Sequence, residues 1–165
     1  MCAGYYSYKS GHKPVFKGSE DFVGQIIHPQ EWNSTIDYEN KKVAVIGSGA
    51  TAVTLVPQIA KKASHVTMIQ RSPTYIASVP SKYKILHLLN YISPKFGYKI
   101  IRFTNILRQR RIYRRARRSP ELVKDYLLGL VRDELPDFDI EKHFTPSYNP
   151  WEQRLCLAPD SDFFE

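Results

Sequence analysis

Two glycines and an arginine carry the most direct chemistry that this sequence offers. The string "VIGSGATA" opens at Val45 and sets Gly47, Gly49 and Ala52 in a G-x-G-x-x-[GA] spacing. That spacing suits phosphate binding. The first glycine allows a tight turn, and the second lets the backbone approach a pyrophosphate. A small third residue lets the following helix pack on the preceding strand. Amides of the helix start, at Ala50 and its neighbours, then face the phosphates with help from the helix dipole. Ser48 and Thr51 add hydroxyl donors. Further on, "QRS" sets Arg71 and Ser72 where folds that read NAD carry an Asp or Glu against the ribose hydroxyls. An arginine suits a 2′-phosphate, which it can grip with two parallel hydrogen bonds, whereas a carboxylate would repel it. The expectation is therefore NADP(H) rather than NAD(H). The plainer alternative is a compact turn at Gly47 and Gly49, with Arg71 a solvated charge at a strand end.

The elements around these residues have the right order. "KKVAVIGSG" is a β-branched apolar run and reads as a buried strand. "ATAVTLVPQIAKKAS" reads as a helix, with Pro57 expected to bend or break it. "HVTMIQRS" reads as a second strand. Strand, glycine turn, helix and strand make a βαβ unit, the start of a Rossmann-like, doubly wound α/β fold. Residues 1–40 read as loop and short strands, with turn signals at Ser10-Gly11 and Lys17-Gly18. "TYIASVPSKY" reads as a loop. "KILHLLNYIS" and "YKIIRFTNILRQRRIYRRARR" read as arginine-rich amphipathic helices. In "SPELVKDYLLGLVRDELPD", Ser119 as N-cap, Pro120 at the first position and Glu121 in the first turn mark a helix start. From Phe138 on, the chain reads as loop. One βαβ unit does not complete a doubly wound sheet, so the expectation is an incomplete nucleotide domain with a helical insertion, part of a larger protein.

Composition narrows the classes. The chain has 165 residues, 42% hydrophobic and 24% charged, which suits one globular domain. No long uncharged apolar run suggests a membrane span. The first residues show no basic segment followed by an apolar one, so a cytoplasmic setting is expected. Two cysteines, Cys2 and Cys156, make no disulfide framework, and no Cys/His cluster has metal-ligand spacing. The net charge of +8 is concentrated in the middle. No acid lies between Glu39 and Glu121, a stretch that holds 17 of the 24 Lys and Arg residues. Such a stretch suits an anionic partner.

The stretch "FVGQIIHPQEWN" fits F-x-G-x-x-x-H-x-x-x-W through Phe22, Gly24, His28 and Trp32. It resembles the fingerprint of Baeyer–Villiger monooxygenases, which are class B flavoprotein monooxygenases. Asn33 stands where that fingerprint usually ends in Pro or Asp. "CAGYYSYKSGHKPVFKG", "VTMIQRSPTYI" and "HFTPSYNPWEQRLCLAPDSD" are similar to segments of the ethionamide-activating group of this family. The resemblance implies an FAD-containing, NADPH-dependent enzyme in which reduced flavin and oxygen give a peroxyflavin. It implies oxidation of a ketone to an ester or lactone, or oxygenation of a sulfide, thioamide or amine. It implies NADP pyrophosphate at Gly47, Gly49, Thr51 and Ala52, and its 2′-phosphate at Arg71 and Ser72. His28 and Trp32 would belong to the linker between FAD and NADP domains. Arg154 falls where the family's active-site arginine is expected, and Gln153 departs from the Lys often found before it. From spacing alone, the alternative for Arg154 is an ion pair with Glu152 or a nearby Asp.

The resemblance also implies an organisation: residues 1–40 as the end of the FAD region and linker, 41–80 as the NADP-binding βαβ unit, 81–137 as a basic helical insertion, and 138–165 as a truncated segment facing the active site. The main FAD motif of the family is missing from this chain, so the chain is expected to need a missing FAD domain and to be inactive alone. Two rivals come from other classes. One is a binding module for nucleic acid or an anionic membrane, built on "RQRRIYRRARR" with Phe103 and Tyr113 nearby. The plainer and preferred reading of that helix is a solvated arginine face, with Ile101, Phe103, Ile106, Leu107 and Ile112 packed on the domain or on a missing part of the enzyme; nucleic acid is not the expected partner, and peripheral membrane contact through the basic helices stays open. The other is a flavin-free NADP-dependent reductase, which leaves the Phe22–Trp32 motif without a role.

Overall fold

The computed structural model describes residues 7, 9–81 and 93–164. The expected βαβ unit is present. Strand β1 (Lys42–Ile46) pairs in parallel with β2 (His65–Ile69), in a register that sets Val43 beside Val66 and Ile46 beside Ile69. Helix α1 (Ala50–Ala60) forms the crossover and packs on both strands. It runs through Pro57 without a break. A proline removes the bond to the carbonyl four residues back and its ring crowds that carbonyl; here Pro57 falls in the helix's last turn. One set of strand residues, including Val43, Val45, Val66 and Met68, is half-buried, while the alternate set lies open.

A second parallel pair was not expected. "TYIASV", read as loop, is strand β3 (Tyr75–Val79), and it pairs with β4 (Leu155–Pro159) from the supposed C-terminal loop. Each strand lies among prolines, which hide its alternation, and pairing with a distant segment decides its conformation. Between them, among the described residues, run three helices: α2 (Pro94–Arg118), α3 (Pro120–Glu134) and the short α4 (Ile140–Phe144). Ser119 does stand at the N-cap of α3 with Pro120 behind it, though its hydroxyl makes no capping bond. Val123, Leu127, Leu128 and Val131 recur at helical spacing and are all buried, which gives α3 an apolar face against β3. "KILHLLNYIS" lies almost wholly outside the described residues.

The core belongs to this second unit. Ile76 of β3, Cys156 and Ala158 of β4, Leu128 and Val131 of α3, and Ile140 and Phe144 of α4 cluster with Val53 of α1. Val53 therefore ties the crossover helix of the first pair into the core of the second, and α1 also touches β4. Residues before β1 contain two 3-10 turns, Ser19–Asp21 and Pro29–Glu31, and no strand among those described. Gly18, at φ 83°, supplies the left-handed residue of the first turn.

Candidate nucleotide site

The glycine turn sits at the C-terminal end of β1 and opens α1. Gly47 has φ 126°, a conformation that residues with a Cβ adopt only under strain, and its amide donates to Ile69 O at 2.8 Å. Gly49 differs. It is the N-cap of α1 with φ −83°, which any residue accepts, and a Cβ built on it would meet nothing within 4 Å. Neither backbone geometry nor protein packing thus calls for glycine at 49. The open space in front of it is what a close-lying phosphate would require. The first N–H groups of α1 have no intrahelical acceptors, and no side chain caps them. Thr51 is exposed beside them, whereas Ala52 is buried at the position where the helix meets the sheet.

Strand β2 brings the second group of residues to this turn. Ser48 is buried, and its Oγ donates to Ser72 O at 3.3 Å, which ties the glycine turn to the end of β2. Gln70 Nε2 donates to His143 O at 2.7 Å, fixing the residue before Arg71 to the end of α4. Arg71 is exposed and joins no ion pair among the described residues.

Arg154 arrives from the other sheet. It directly precedes β4, and its Nη2 lies 3.5 Å from Ser72 Oγ. Two guanidinium-bearing residues, Arg71 and Arg154, thus flank Ser72 in sequence and in space respectively. The ion pair with Glu152 anticipated as an alternative is not formed. Glu152 instead accepts from Asn149 N at 3.0 Å and Asn149 Nδ2 at 3.2 Å, and it lies 3.9 Å from Arg117. Those bonds from Asn149, and then the Arg117 charge, hold its carboxyl below the usual range. Gln153 is exposed.

Sequence reading missed Thr74, Tyr75 and Tyr148. Tyr75 OH donates to Tyr148 O at 2.7 Å, and the two rings meet edge to face at 5.5 Å. Burial first, then the neighbouring Tyr148 and two glutamates, push the Tyr75 phenol up to about 12, so it remains a donor. Thr74 and Tyr148 both reach Arg154 O. Nothing in "SPTY" or "PSYNPW" beyond buried-type aromatics near prolines signals this. Cys156, next to the same groups, has its thiol raised by burial and is a core residue.

The fingerprint residues make local contacts of their own. The His28 ring rests against Gly11, where any Cβ would collide with it, and His28 Nδ1 accepts from Gln30 N at 3.3 Å. Phe22 likewise covers Gly24, and Trp32 packs on Tyr38 with ring centres 5.5 Å apart. Phe22, Val23, Ile26 and Trp32 all stay exposed.

The chain is 51% identical over 167 residues to the FAD-containing monooxygenase EthA of Mycobacterium tuberculosis, an alignment covering 99% of this chain and 34% of that protein. It is 47% identical over 168 residues to the EthA protein of Mycolicibacterium smegmatis, covering 100% and 34%. The chain thus spans about a third of the length of these curated relatives. The fold matches that of an oxidized steroid monooxygenase bound to NADP, with a TM-score of 0.70, 17% identity, and coverage of 93% of this chain and 37% of that one. It also matches the OTEMO complex with FAD and NADP, with a TM-score of 0.69, 17% identity, and coverage of 99% and 38%. Residues 1–105 match the flavin-binding monooxygenase-like family, and the chain belongs to that family.

Proposed function

We propose that this chain is the NADP(H)-binding part of an FAD-containing monooxygenase. One observation carries the reading: Gly49, free of any conformational or packing need for glycine, faces open space at the uncapped start of α1, beside a strand end that bears Arg71. Gly47 shapes the turn, and the amides of Gly49, Ala50 and Thr51 meet the pyrophosphate. Ala52 keeps the helix close to the sheet. Ser48 locks the turn to Ser72. Arg71 takes the 2′-phosphate, and Ser72 adds a hydroxyl. FAD, when bound in the whole protein, supplies the oxygen chemistry, and NADP(H) supplies the hydride. Arg154, beside Ser72, contributes a positive charge to the bound nucleotide and to the place where a negative oxygen would develop. The whole protein's substrate would be a ketone, sulfide, thioamide or amine. Names of the relatives and the fingerprint through Trp32 support this reading over a flavin-free reductase.

Calorimetric titration of the chain with NADP+ and, separately, NAD+ tests the proposal. Preference for NADP+, lost in Arg71→Ala with a drop of about tenfold or more, is the expected result for a charge-assisted phosphate contact. A folded chain that binds both nucleotides equally, or neither, would overturn it.

A second reading concerns α2. This 25-residue helix carries eight arginines, two lysines and no acid, and it leaves Phe96, Tyr98, Phe103, Ile106 and Tyr113 exposed. Arginines that keep their charge in water beside exposed aromatics suit the surface of an anionic bilayer. No helix among the described residues is long and apolar enough to cross a membrane. Co-sedimentation with phosphatidylglycerol vesicles, absent with phosphatidylcholine vesicles, is expected; equal behaviour with both would reject the contact.

A further inference from the structure

Arg154 is exposed, yet two buried side chains reach its main-chain carbonyl. Its carbonyl oxygen lies 2.9 Å from Tyr148 OH and 3.3 Å from Thr74 Oγ1, and those two hydroxyls are 3.1 Å from each other. Three oxygens therefore form a closed triangle. Each hydroxyl can donate to the carbonyl, and each can donate to the other. Thr74 is 1% exposed and Tyr148 8%. In that dry setting each hydroxyl needs a partner, and a hydrogen bond gains strength.

The triangle is anchored from behind. Tyr75 OH donates to Tyr148 O, the Tyr75 ring meets the Tyr148 ring edge to face, and Tyr75 pairs with Leu155, the residue after Arg154. On the other side, the arginine's Nη2 lies 3.5 Å from Ser72 Oγ, and Ser72 O accepts from Ser48 of the glycine turn. A continuous chain of contacts thus runs from the β3–β4 core through Arg154 to the candidate phosphate site.

We propose that Thr74 and Tyr148 are positioning residues, which grip the Arg154 carbonyl and so hold its guanidinium at the nucleotide site; the nucleotide half of this statement rests on the function proposed above. An arginine with a free root would spread its charge over many rotamers. Fixing the root leaves the side-chain torsions free but narrows the region the guanidinium can reach before a ligand arrives, which favours binding by preorganisation.

Thr74→Val and Tyr148→Phe remove the hydroxyls and keep the shapes. In the double variant, NADP+ affinity should fall by the same factor as in Arg154→Ala, about tenfold for one charged contact. Added to Arg154→Ala, the pair should change affinity no further. Thr74→Ser, which keeps the hydroxyl, should bind like the parent chain. A cooperative thermal transition checks that each variant is folded; should the double variant not fold, Thr74→Val against Thr74→Ser makes the same comparison. Losses that add to that of Arg154→Ala, or no loss in a folded hydroxyl-free variant, would overturn the proposal. Backbone 15N relaxation at Arg154, read without nucleotide, separates the two readings. The amide should be rigid in the parent and mobile once the hydroxyls are gone. Unchanged order there would overturn the grip even if NADP+ binds, and a parent chain that fails to bind NADP+ would sink the nucleotide reading while the relaxation still decides the grip.

Discussion

The two parallel strand pairs among the described residues are built to opposite standards. In β3–β4, Tyr75, Ile76, Ala77, Cys156 and Ala158 are buried under α1, α3 and α4. In β1–β2, no strand residue is fully buried, and the paired Ile46 and Ile69 are 66% and 50% exposed. Parallel strands are normally covered on both faces. The difference separates two tasks. The second pair supplies the cohesion of the chain, and the first presents a glycine turn and a charged strand end. Val53 and Arg154 connect them, one through packing and the other through hydrogen bonds.

Substitutions should divide along the same line. Leu128→Ala in the β3–β4 core should cost about 2–5 kcal/mol in denaturant unfolding, the range for a leucine truncated in a packed interior. A cost near zero would mean that the core lies elsewhere. Gly47→Ala should cost about 1–3 kcal/mol, because its φ falls in glycine's region. Gly49→Ala should leave stability within about 0.5 kcal/mol, since nothing meets the added methyl, yet NADP+ titration should show weakened binding. If both glycine variants lost stability equally, the turn would be structural only. Ile69→Thr on the open face should likewise shift unfolding by no more than about 0.5 kcal/mol.

The smallest effect is a pH dependence. The Glu152 carboxyl is held below its ordinary value of 4.5, chiefly by the Asn149 amides. A lowered carboxyl stabilises the fold above its unfolded value and loses that contribution as pH falls through the folded one. Glu152→Gln should therefore melt slightly lower than the parent at neutral pH, and the two melting curves should converge on acidification below 4.5.

Legibility in the sequence followed the distance over which each element is decided. "KKVAVIGSGATAVTLV" carries its own strand, turn and helix, because β-branched residues, glycines and helical spacing act locally. So did Pro120 at the start of α3. "TYIASV" carries too little: Pro73 and Pro80 bracket it, and only pairing with Leu155–Pro159 makes it a strand. In the site, Gly47, Gly49 and Arg71 stand out through spacing. Ser48 and Ser72 were marked for the ligand, and the structure also shows them bonded to each other. Thr74 and Tyr148 gave no signal, since their role depends on a carbonyl that only the folded chain brings near.

The long span between Thr74 and Arg154 sets an order of events in folding. Ser48 and Ser72 lie 24 residues apart in the chain, whereas Thr74 and Arg154 lie 80 apart. Closing the longer loop costs about 1 kcal/mol more in chain entropy, and contacts of such separation form late. The glycine turn thus matures from near neighbours, while its second arginine waits for β4 to dock beside β3. A refolding chain should therefore pass through an interval in which the turn is built and Arg154 is still at large, with full affinity for an anion expected among the last properties it acquires.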